Sequence, residues 1–352
     1  MSLIQAVQST RAASFAALVQ VMEAIAPCRL AGSWDNVGVL VDAVEPVLGA
    51  RSSIAHAAAA AGVDQAYQVL VTNDLTEKVF AEALRMQAHA IVTYHPTPFG
   101  KMNKFRVAGP GSSVAARIVL AAARENIGIY SPHSALDASP GGMNDWVLSG
   151  IGPGKLAPLS VEQYPWGEDV EVPESVPCPH AVVQAAGSGQ PIVQPSAEHG
   201  AVGEGRMLTL DTPMAVNTLI SQLKVHLGLP SLRVALPQHT ATESKIGPDA
   251  TSALTIAADL SVSTVAVCVG SGRGVLVPHA QGADVWVTGE LSHHDVLAAT
   301  AAGTTVILTD HTNTERGYLP LLAARVAAGL QSAGIAANVV PTTIDADPLV
   351  IV

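Results

Sequence analysis

A histidine and a glutamate that lie four residues apart follow an apolar run near the carboxyl end of this chain. His311 and Glu315 belong to the sequence T-D-H-T-N-T-E-R-G-Y at 309–318, directly after the apolar run 304–308. A β-branched run that stops at polar residues is typical of a buried strand, and the apolar residues from Leu319 onwards recur with helical period. If a helix begins near His311, the imidazole and the carboxylate lie on one face and can bind one cation. Taken alone, the same spacing also fits a capping residue followed by an exposed glutamate.

A second copy of this pattern lies 216 residues closer to the amino terminus, as the positions of His95 and His311 show. V-L-V-T-N-D-L-T at 69–76 aligns without a gap to V-W-V-T-G-E-L-S at 285–292, and I-V-T-Y-H at 91–95 aligns to I-L-T-D-H at 307–311. Each copy predicts a strand, a helix, a second strand and then a histidine. We therefore predict an α/β protein of two similar halves related by a pseudo-twofold axis. Both histidines are expected at the carboxyl ends of strands, where open α/β sheets place their sites.

A third predicted strand, 127–131, leads into P-H-S-A-L-D, so that His133 and Asp137 also follow the end of a strand. A cation shared between the ends of the three strands would account for all of these polar side chains. Two further polar residues, Asp35 and Asn36 in W-D-N-V-G-V-L-V, precede a short predicted strand. They are either site residues or an Asx-turn that fixes the entry to the strand, and in isolation the turn is the preferred interpretation.

The composition describes a compact globular protein and argues against several classes of function. The 352 residues are 49% hydrophobic and only 13% charged, which is not the composition of a disordered chain. The length suits two domains or one duplicated domain, and the repeat favours duplication. Because the formal charge is −11 and the 18 Lys and Arg residues are spread along the chain, we do not expect binding to duplex nucleic acid.

The cysteines and the apolar segments bear on the cellular compartment. Cys28, Cys178 and Cys268 share no C-x-x-C spacing, which predicts reduced thiols in a cytoplasmic protein and excludes a structural zinc site of cysteines. No segment reaches the ~18 consecutive apolar residues of a membrane helix, so no membrane association is expected. Arg11 precedes the first acidic residue, Glu23, and this leaves a mitochondrial presequence as the weaker alternative.

The predicted domain division follows the repeat. Residues 1–151 form an N-terminal α/β half that carries His95, His133 and Asp137, and residues 204–352 form a C-terminal α/β half that carries His311 and Glu315. Residues 152–203 are rich in proline and acidic residues, which predicts a connection between the halves. In the C-terminal half, Asp211-Thr212-Pro213 predicts the start of a helix. The glycines of G-S-G-R-G at 270–274 predict either a tight turn with positive φ or a loop that cradles a phosphate.

With these segments assembled, the chain resembles the NIF-three-like family (NGG-one-interacting-factor-three-like), also known as the GTP cyclohydrolase 1 type 2 family, and its eukaryotic branch more than its bacterial one. The resemblance rests on blocks in the family's order that together cover nearly the whole chain except 152–203. They are S-W-D-N-V-G-V-L-V at 33–41, T-Y-H-P at 93–96, G-I-Y-S-P-H-S-A-L-D-A-S-P-G-G-M-N-D-W at 128–146, G-S-G at 270–272, T-G-E-L-S-H-H-D at 288–295 and D-H-T-N-T-E-R-G at 310–317.

The resemblance implies two similar α/β halves, a pair of divalent metal ions and assembly into a homohexameric ring. It places metal ligands at the positions of His95, Asp137, His311 and Glu315, with the glutamate bridging the ions. Many members have two histidines before the proline, where this chain has Tyr94 and His95. One ion therefore lacks a ligand unless Tyr94, His133 or water replaces it. Larger relatives insert a full α/β domain between the halves, and residues 152–203 are too few for one.

Two functions fit this site. The first is a metal-dependent hydrolase that acts on a small nucleotide-like molecule, similar to GTP cyclohydrolase 1 type 2, with one or two ions of Zn, Fe or Mn per chain. His133 and Glu290 would then be the catalytic residues, because each can transfer a proton and lies near the ligands in sequence. The second is a metal-binding scaffold or regulatory protein-interaction partner without turnover.

Overall fold

A computed structural model of the chain describes residues 3–42, 66–159, 202–238 and 260–349. They form mixed α/β structure around two sheets. Two compact units are present: the first contains Met1–Leu136 with Leu319–Val352, and the second contains Asp137–Tyr318. The carboxyl-terminal segment thus belongs with the amino-terminal residues, whereas the repeat alone groups it with the second half of the chain.

The first unit contains a five-stranded sheet in the order β1-β4-β3-β2-β11. Its strands are β1 (Gly38–Val41), β2 (Tyr67–Thr72), β3 (Ala90–Thr93), β4 (Gly128–Ser131) and β11 (Ala337–Pro341). Neighbouring strands are parallel except for β1, which runs antiparallel to β4. The inner strands β3 and β4 are buried along their whole length, as expected for a parallel sheet covered on both faces.

Helices cover this sheet because each presents an apolar face. They are α1 (Leu3–Ile25), α2 (Glu77–Arg85), α3 (Val114–Glu125) and α9 (Leu319–Ser332), and the short α4 (His133–Ala138) begins in this unit. The side chains of Thr76 and Ser113 accept hydrogen bonds from backbone N–H groups three residues on, which fixes the starts of α2 and α3. Val79 and Phe80 of α2 pack in one core with Leu70 of β2.

The second unit contains a six-stranded sheet in the order β5-β6-β8-β9-β10-β7. Its strands are β5 (Gly154–Ala157), β6 (Arg206–Ala215), β7 (Arg233–Ala235), β8 (Ser261–Ser271), β9 (Val285–Glu290) and β10 (Thr305–Leu308). β8, β9 and β10 are parallel, and the strands outside them are antiparallel to their neighbours. The helices of this unit are α5 (Met143–Ser149), α6 (Val216–Leu227), α7 (Arg273–His279) and α8 (His293–Ala301).

The internal repeat is visible in the elements themselves. β2, α2 and β3 follow one another in the first unit as β9, α8 and β10 do in the second, and in both units the two strands pair in parallel. α2 and α8 are each capped by a hydroxyl side chain, Thr76 or Ser292. Adding 216 to the bounds of α2 gives the bounds of α8. The alignment of the two segments therefore reflects a shared local fold.

Three local predictions differ from the structure. Asp211-Thr212-Pro213 does not begin a helix: β6 continues to Ala215 through an irregularity in its pairing with β8, and the helix begins at Val216. The helix ends at Leu227, where Gly228 caps it with a left-handed φ of 67°.

The other two differences concern the connection and the predicted first turn at His311. Gly154–Ala157, which the sequence assigns to the connection, pair with β6, because alternating side chains there can join an edge of the sheet. Cys178 and residues 160–201 lie outside the described residues. His311–Thr314 form a 3-10 turn, and the α-helix begins only at Leu319.

Candidate functional site

His95 lies on the loop that follows β3 in the first unit. Its Nδ1 atom is 2.8 Å from an Asp74 carboxylate oxygen. The loop is set by backbone hydrogen bonds, since the N–H groups of Tyr94 and His95 donate to the carbonyls of Thr72 and Asn73 at the end of β2. Because Nδ1 is taken up by the carboxylate, Nε2 is the His95 atom suited to bind a metal ion.

A cavity of about 780 Å³ opens beside His95 within the first unit. Asp74, Lys78 and Phe99 are among its lining residues. This volume is in the range of pockets that hold small organic ligands.

His133 begins α4 and lies near His95, with 5.5 Å between the ring centroids. The structure shows that Asp35 binds it: Nδ1 of His133 is 2.8 Å from both carboxylate oxygens. The preferred interpretation of Asp35 as an Asx-turn is therefore wrong. Within the described residues, its carboxylate accepts from His133, Ser134 and the N–H of Asn36, and an Asx-turn requires a bond to the residue two positions on.

Tyr94 occupies the position at which many relatives have a second histidine. Its side chain is 1% exposed, and its ring lies 5.0 Å from that of His95 and 5.4 Å from that of His133. Tyr94 therefore forms part of the packed wall around both imidazoles.

In the second unit, His311 lies between two carboxylates. Its Nδ1 is 3.3 Å from Glu290, and its Nε2 is 3.5 Å from Glu315. The Glu315 side chain is 1% exposed, whereas Glu290 is 55% exposed. A buried carboxylate beside an imidazole nitrogen offers two kinds of metal-binding atom, so this side of the His311 ring suits a cation.

Two glycines leave the room that this cluster needs. A Cβ atom at Gly270 would lie 2.7 Å from Oε1 of Glu315 and 2.9 Å from Nε2 of His311. Gly270 has φ +60°, which confirms the tight turn predicted for G-S-G-R-G. A Cβ atom at Gly289 would lie 2.7 Å from the Cα of His311. The glycines thus allow backbone and ligand atoms to approach one another closely.

Asp137 is tied to the same end of the second sheet through Asn144. The Asn144 side chain donates to the Asp137 carbonyl at 3.0 Å and accepts from the N–H of Val269, also at 3.0 Å. Burial raises the pKa of the Cys268 thiol, and the negative charges of Asp137, Glu204 and Glu315 raise it further. Asp137 and Glu315 therefore act on one buried thiol.

The repeat relates two of these contacts. Asp74 and Glu290 occupy equivalent positions in the two copies, as His95 and His311 do, and in both copies the carboxylate lies against Nδ1 of the histidine. Sequence reasoning missed Asp74, although the alignment of N-D-L-T with G-E-L-S already paired it with Glu290.

The six predicted site residues fall in both units. The structure brings His95 and His133 together in the first unit, and His311, Glu290 and Glu315 in the second. Asp137, also in the second unit, shares with Glu315 an electrostatic influence on the Cys268 thiol. His95 in the first unit, and His311 and Glu315 in the second, each offer an atom that can bind a metal ion.

Among the described residues, none of the helices has the length and apolar character needed to cross a membrane.

Known proteins are similar in sequence to this chain over most of its length. It is 34% identical to the "Protein NIF3 homolog" of Schizosaccharomyces pombe, over 94% of this chain and 96% of that protein. It is 30% identical to the "NGG1-interacting factor 3" of Saccharomyces cerevisiae, over 91% of this chain and 90% of that protein.

Solved structures agree on the fold. The Bacillus cereus protein related to NIF3 matches with a TM-score of 0.66 and 16% identity, over 95% of this chain and 98% of that one. Reduced HcgD from Methanocaldococcus jannaschii matches with a TM-score of 0.58 and 16% identity, over 93% and 96%. The sequence pattern of one protein family, Duf34/NIF3 (NGG1p interacting factor 3), matches residues 13–348 of the chain. The chain therefore belongs to the Duf34/NIF3 family.

Proposed function

We propose that this protein is a divalent-metal-dependent hydrolase that acts on a small nucleotide-like molecule. The observation that carries the proposal is the buried carboxylate of Glu315 beside Nε2 of His311, in a space that Gly270 keeps open. A buried carboxylate next to an imidazole nitrogen is a donor set for a borderline divalent ion.

We propose that His95 and Asp137 complete the ligand set, so that one or two ions of Zn, Fe or Mn are bound per chain. The support is chemical: His95, like His311, has its Nδ1 beside a carboxylate, which fixes the ring and makes Nε2 the better ligand. Bound there, the metal would supply an activated water and polarise an oxygen of the substrate.

His133 and Glu290 are the proposed groups for proton transfer. The His133 side chain is 11% exposed and is held by Asp35, and Glu290 is more than half exposed beside His311. A half-exposed carboxylate can exchange protons with solvent, and a fixed imidazole can accept one from a bound water. The cavity beside His95 supports a small substrate.

The test measures metal content and turnover together. His311→Ala and Glu315→Gln should each lower the metal bound per chain by at least half after dialysis, while His294→Ala, which removes an exposed histidine of α8, should not. Glu290→Gln should retain metal and lose turnover on a panel of nucleotides and phosphoesters. Unchanged metal content in His311→Ala would contradict the metal centre.

A metal-binding scaffold or regulatory partner is the second candidate. It is favoured by the name of the Saccharomyces cerevisiae relative, which describes that protein as an interacting factor. If metal-loaded protein shows no turnover on the panel while the His311 variants still lose metal, the scaffold is supported and the hydrolase is not.

We also propose a ring of six subunits and a cytoplasmic location. Support for assembly comes from large apolar side chains that are well exposed on a single chain, including Phe99 at 67% and Val225 at 79%. The proposals for the substrate, the assembly and the cellular location are independent, so one can be wrong while the others hold.

A further inference from the structure

The Asp35 carboxylate is buried and accepts hydrogen bonds from Asn36, His133 and Ser134. Its side chain is 1% exposed. The N–H and hydroxyl of Ser134 donate to Oδ2, the N–H of Asn36 donates to Oδ1 at 2.7 Å, and Nδ1 of His133 lies 2.8 Å from both oxygens. The Gly32 N–H donates in turn to the Ser134 hydroxyl at 3.1 Å, which fixes that hydroxyl as well.

This surrounding keeps the carboxylate ionised. Burial alone would raise the pKa of Asp35, but the hydrogen bonds that it accepts from His133, Ser134 and Asn36 hold the pKa below its ordinary value. An ionised carboxylate can only accept hydrogen bonds, so the proton between the two groups must reside on Nδ1 of His133. A neutral imidazole with its proton on Nδ1 has its lone pair on Nε2.

Rings hold the imidazole in place on its other sides. Trp34, Tyr94 and Phe99 lie with their ring centroids 5.9, 5.4 and 5.6 Å from that of His133, each nearly perpendicular to it. Within the described residues, the hydrogen bonds of this ring are all made through Nδ1. As far as the described residues show, Nε2 therefore remains available to a water or substrate molecule.

The backbone at this position is strained. His133 has φ +28°, a value that residues with a side chain rarely adopt. Such strain persists where the surrounding structure over-determines it, often at functional sites. Here the hydrogen bonds that His133 and Ser134 donate to Asp35 supply that constraint.

We propose that Asp35 is a positioning residue that holds His133 as its Nδ1–H tautomer, so that Nε2 is the atom that accepts a proton from substrate or attacking water. The inference rests on the proposed function for what Nε2 acts upon, but the tautomer itself requires no turnover. In the step, the O–H bond of the water or substrate breaks, the proton forms a bond to Nε2, and the electron pair stays on the oxygen.

The test reads the tautomer directly. The full-length, zinc-loaded protein is labelled with ¹⁵N-histidine, and the His133 signals are assigned as those that disappear in His133→Gln. In the wild type, the ¹⁵N shifts should show a protonated Nδ1 and an unprotonated Nε2. In Asp35→Asn, the Nε2–H tautomer should become the major form, while the exposed-residue control Asp42→Asn should leave the spectrum unchanged.

Turnover is measured on the same samples. Asp35→Asn should lower kcat by about 10²–10⁴-fold with little change in metal content, as expected when a base is held in the wrong tautomer. An Nε2–H tautomer in the wild type overturns the proposal even if the variant fails to fold. The expected tautomer without turnover on any substrate would leave Asp35 as a positioning residue and would count against the hydrolase instead.

Discussion

The imidazoles of His95, His133 and His311 each have Nδ1 beside a carboxylate oxygen, from Asp74, Asp35 and Glu290 respectively. A neutral imidazole that donates from Nδ1 presents a lone pair at Nε2, which can bind a metal ion or accept a proton. The same arrangement suits both of the proposed roles, that of a metal ligand and that of a proton acceptor. For His311, the buried Glu315 carboxylate lies beside Nε2, which favours the role of a metal ligand.

Gly270 has no side chain, and this leads to a prediction about the affinity for metal. Gly270→Ala should lower metal affinity at least tenfold, because the new Cβ would lie within 3 Å of Glu315 and His311 side-chain atoms. The positive φ adds backbone strain of about 1 kcal/mol. Titration with a competing chelator measures the affinity. The control is Gly274→Ala, because a Cβ at Gly274 meets nothing within 4 Å; equal affinity in both variants would contradict the prediction.

At the scale of elements, one buried ion pair anchors the segment that carries Asp137. Arg206 of β6 and Asp145 of α5 are both 1% exposed at the side chain, and Nε of Arg206 donates to Asp145. The Arg206 guanidinium also donates to the carbonyls of Ala138 and Ser139 at 3.2 Å. The end of α4 is therefore held to the second sheet by a side chain that begins β6.

Removing this arginine should be costly. Arg206→Ala leaves the buried Asp145 carboxylate without its counter-charge, and we expect a loss of about 3–5 kcal/mol in the free energy of unfolding. Urea denaturation, followed by the fluorescence of Trp286 in the second unit, measures this free energy. Arg124→Ala removes an arginine that is 78% exposed and should change stability by less than about 0.5 kcal/mol. Similar losses in the two variants would show that the buried pair does not anchor the segment.

The contact between α5 and α6 predicts a pH dependence. His226 packs its ring 4.6 Å from that of Trp146, and its Nε2–H donates to the Trp146 carbonyl at 2.8 Å. Burial lowers the pKa of His226, and the hydrogen bond to the carbonyl offsets this only in part. The unfolded chain then binds more protons than the folded chain at pH values below the ordinary histidine pKa of ~6.5.

The contribution of His226 to stability is therefore fully present above about pH 6.5 and is lost as the pH falls towards its lowered pKa. In denaturation at pH 7.5 and 5.5, the wild type should lose more stability than His226→Gln, whose amide can keep the bond to the carbonyl. The exposed-histidine control His294→Gln should behave as the wild type. An equal loss in all three proteins would rule out His226 as the source.

For the whole molecule, the surface of the single chain predicts assembly. Large apolar side chains remain exposed on α2, α3 and the segment between β3 and α3, including Leu84, Leu120, Phe105 and Val107. Exposed apolar area of this kind is commonly buried between subunits. Light scattering should give a mass near six times that of the 36.0 kDa chain. A mass of one chain at micromolar concentration would contradict both the ring and this use of the apolar side chains.

Much of the local structure could be predicted from residue patterns. The apolar runs predicted β2, β3, β9 and β10, and the repeat showed that the two segments share one architecture. These features depend on residues close in sequence, so periodicity reveals them. Asp211-Thr212-Pro213 failed as a helix start because pairing with β8 kept that segment in a strand, and tertiary pairing outweighs a local capping preference.

The sequence by itself determined the α/β class, the duplicated strand–helix–strand units and the histidines and acids that follow their strands. Only the tertiary structure decided which of these residues meet: Asp35 with His133 across 98 residues, Asn144 with Val269 across 125, and β11 beside β2 in the first sheet. The reason is physical. A residue's period and neighbours specify its own element, whereas the partner of a buried polar group depends on strand order and on which side chains burial leaves without water.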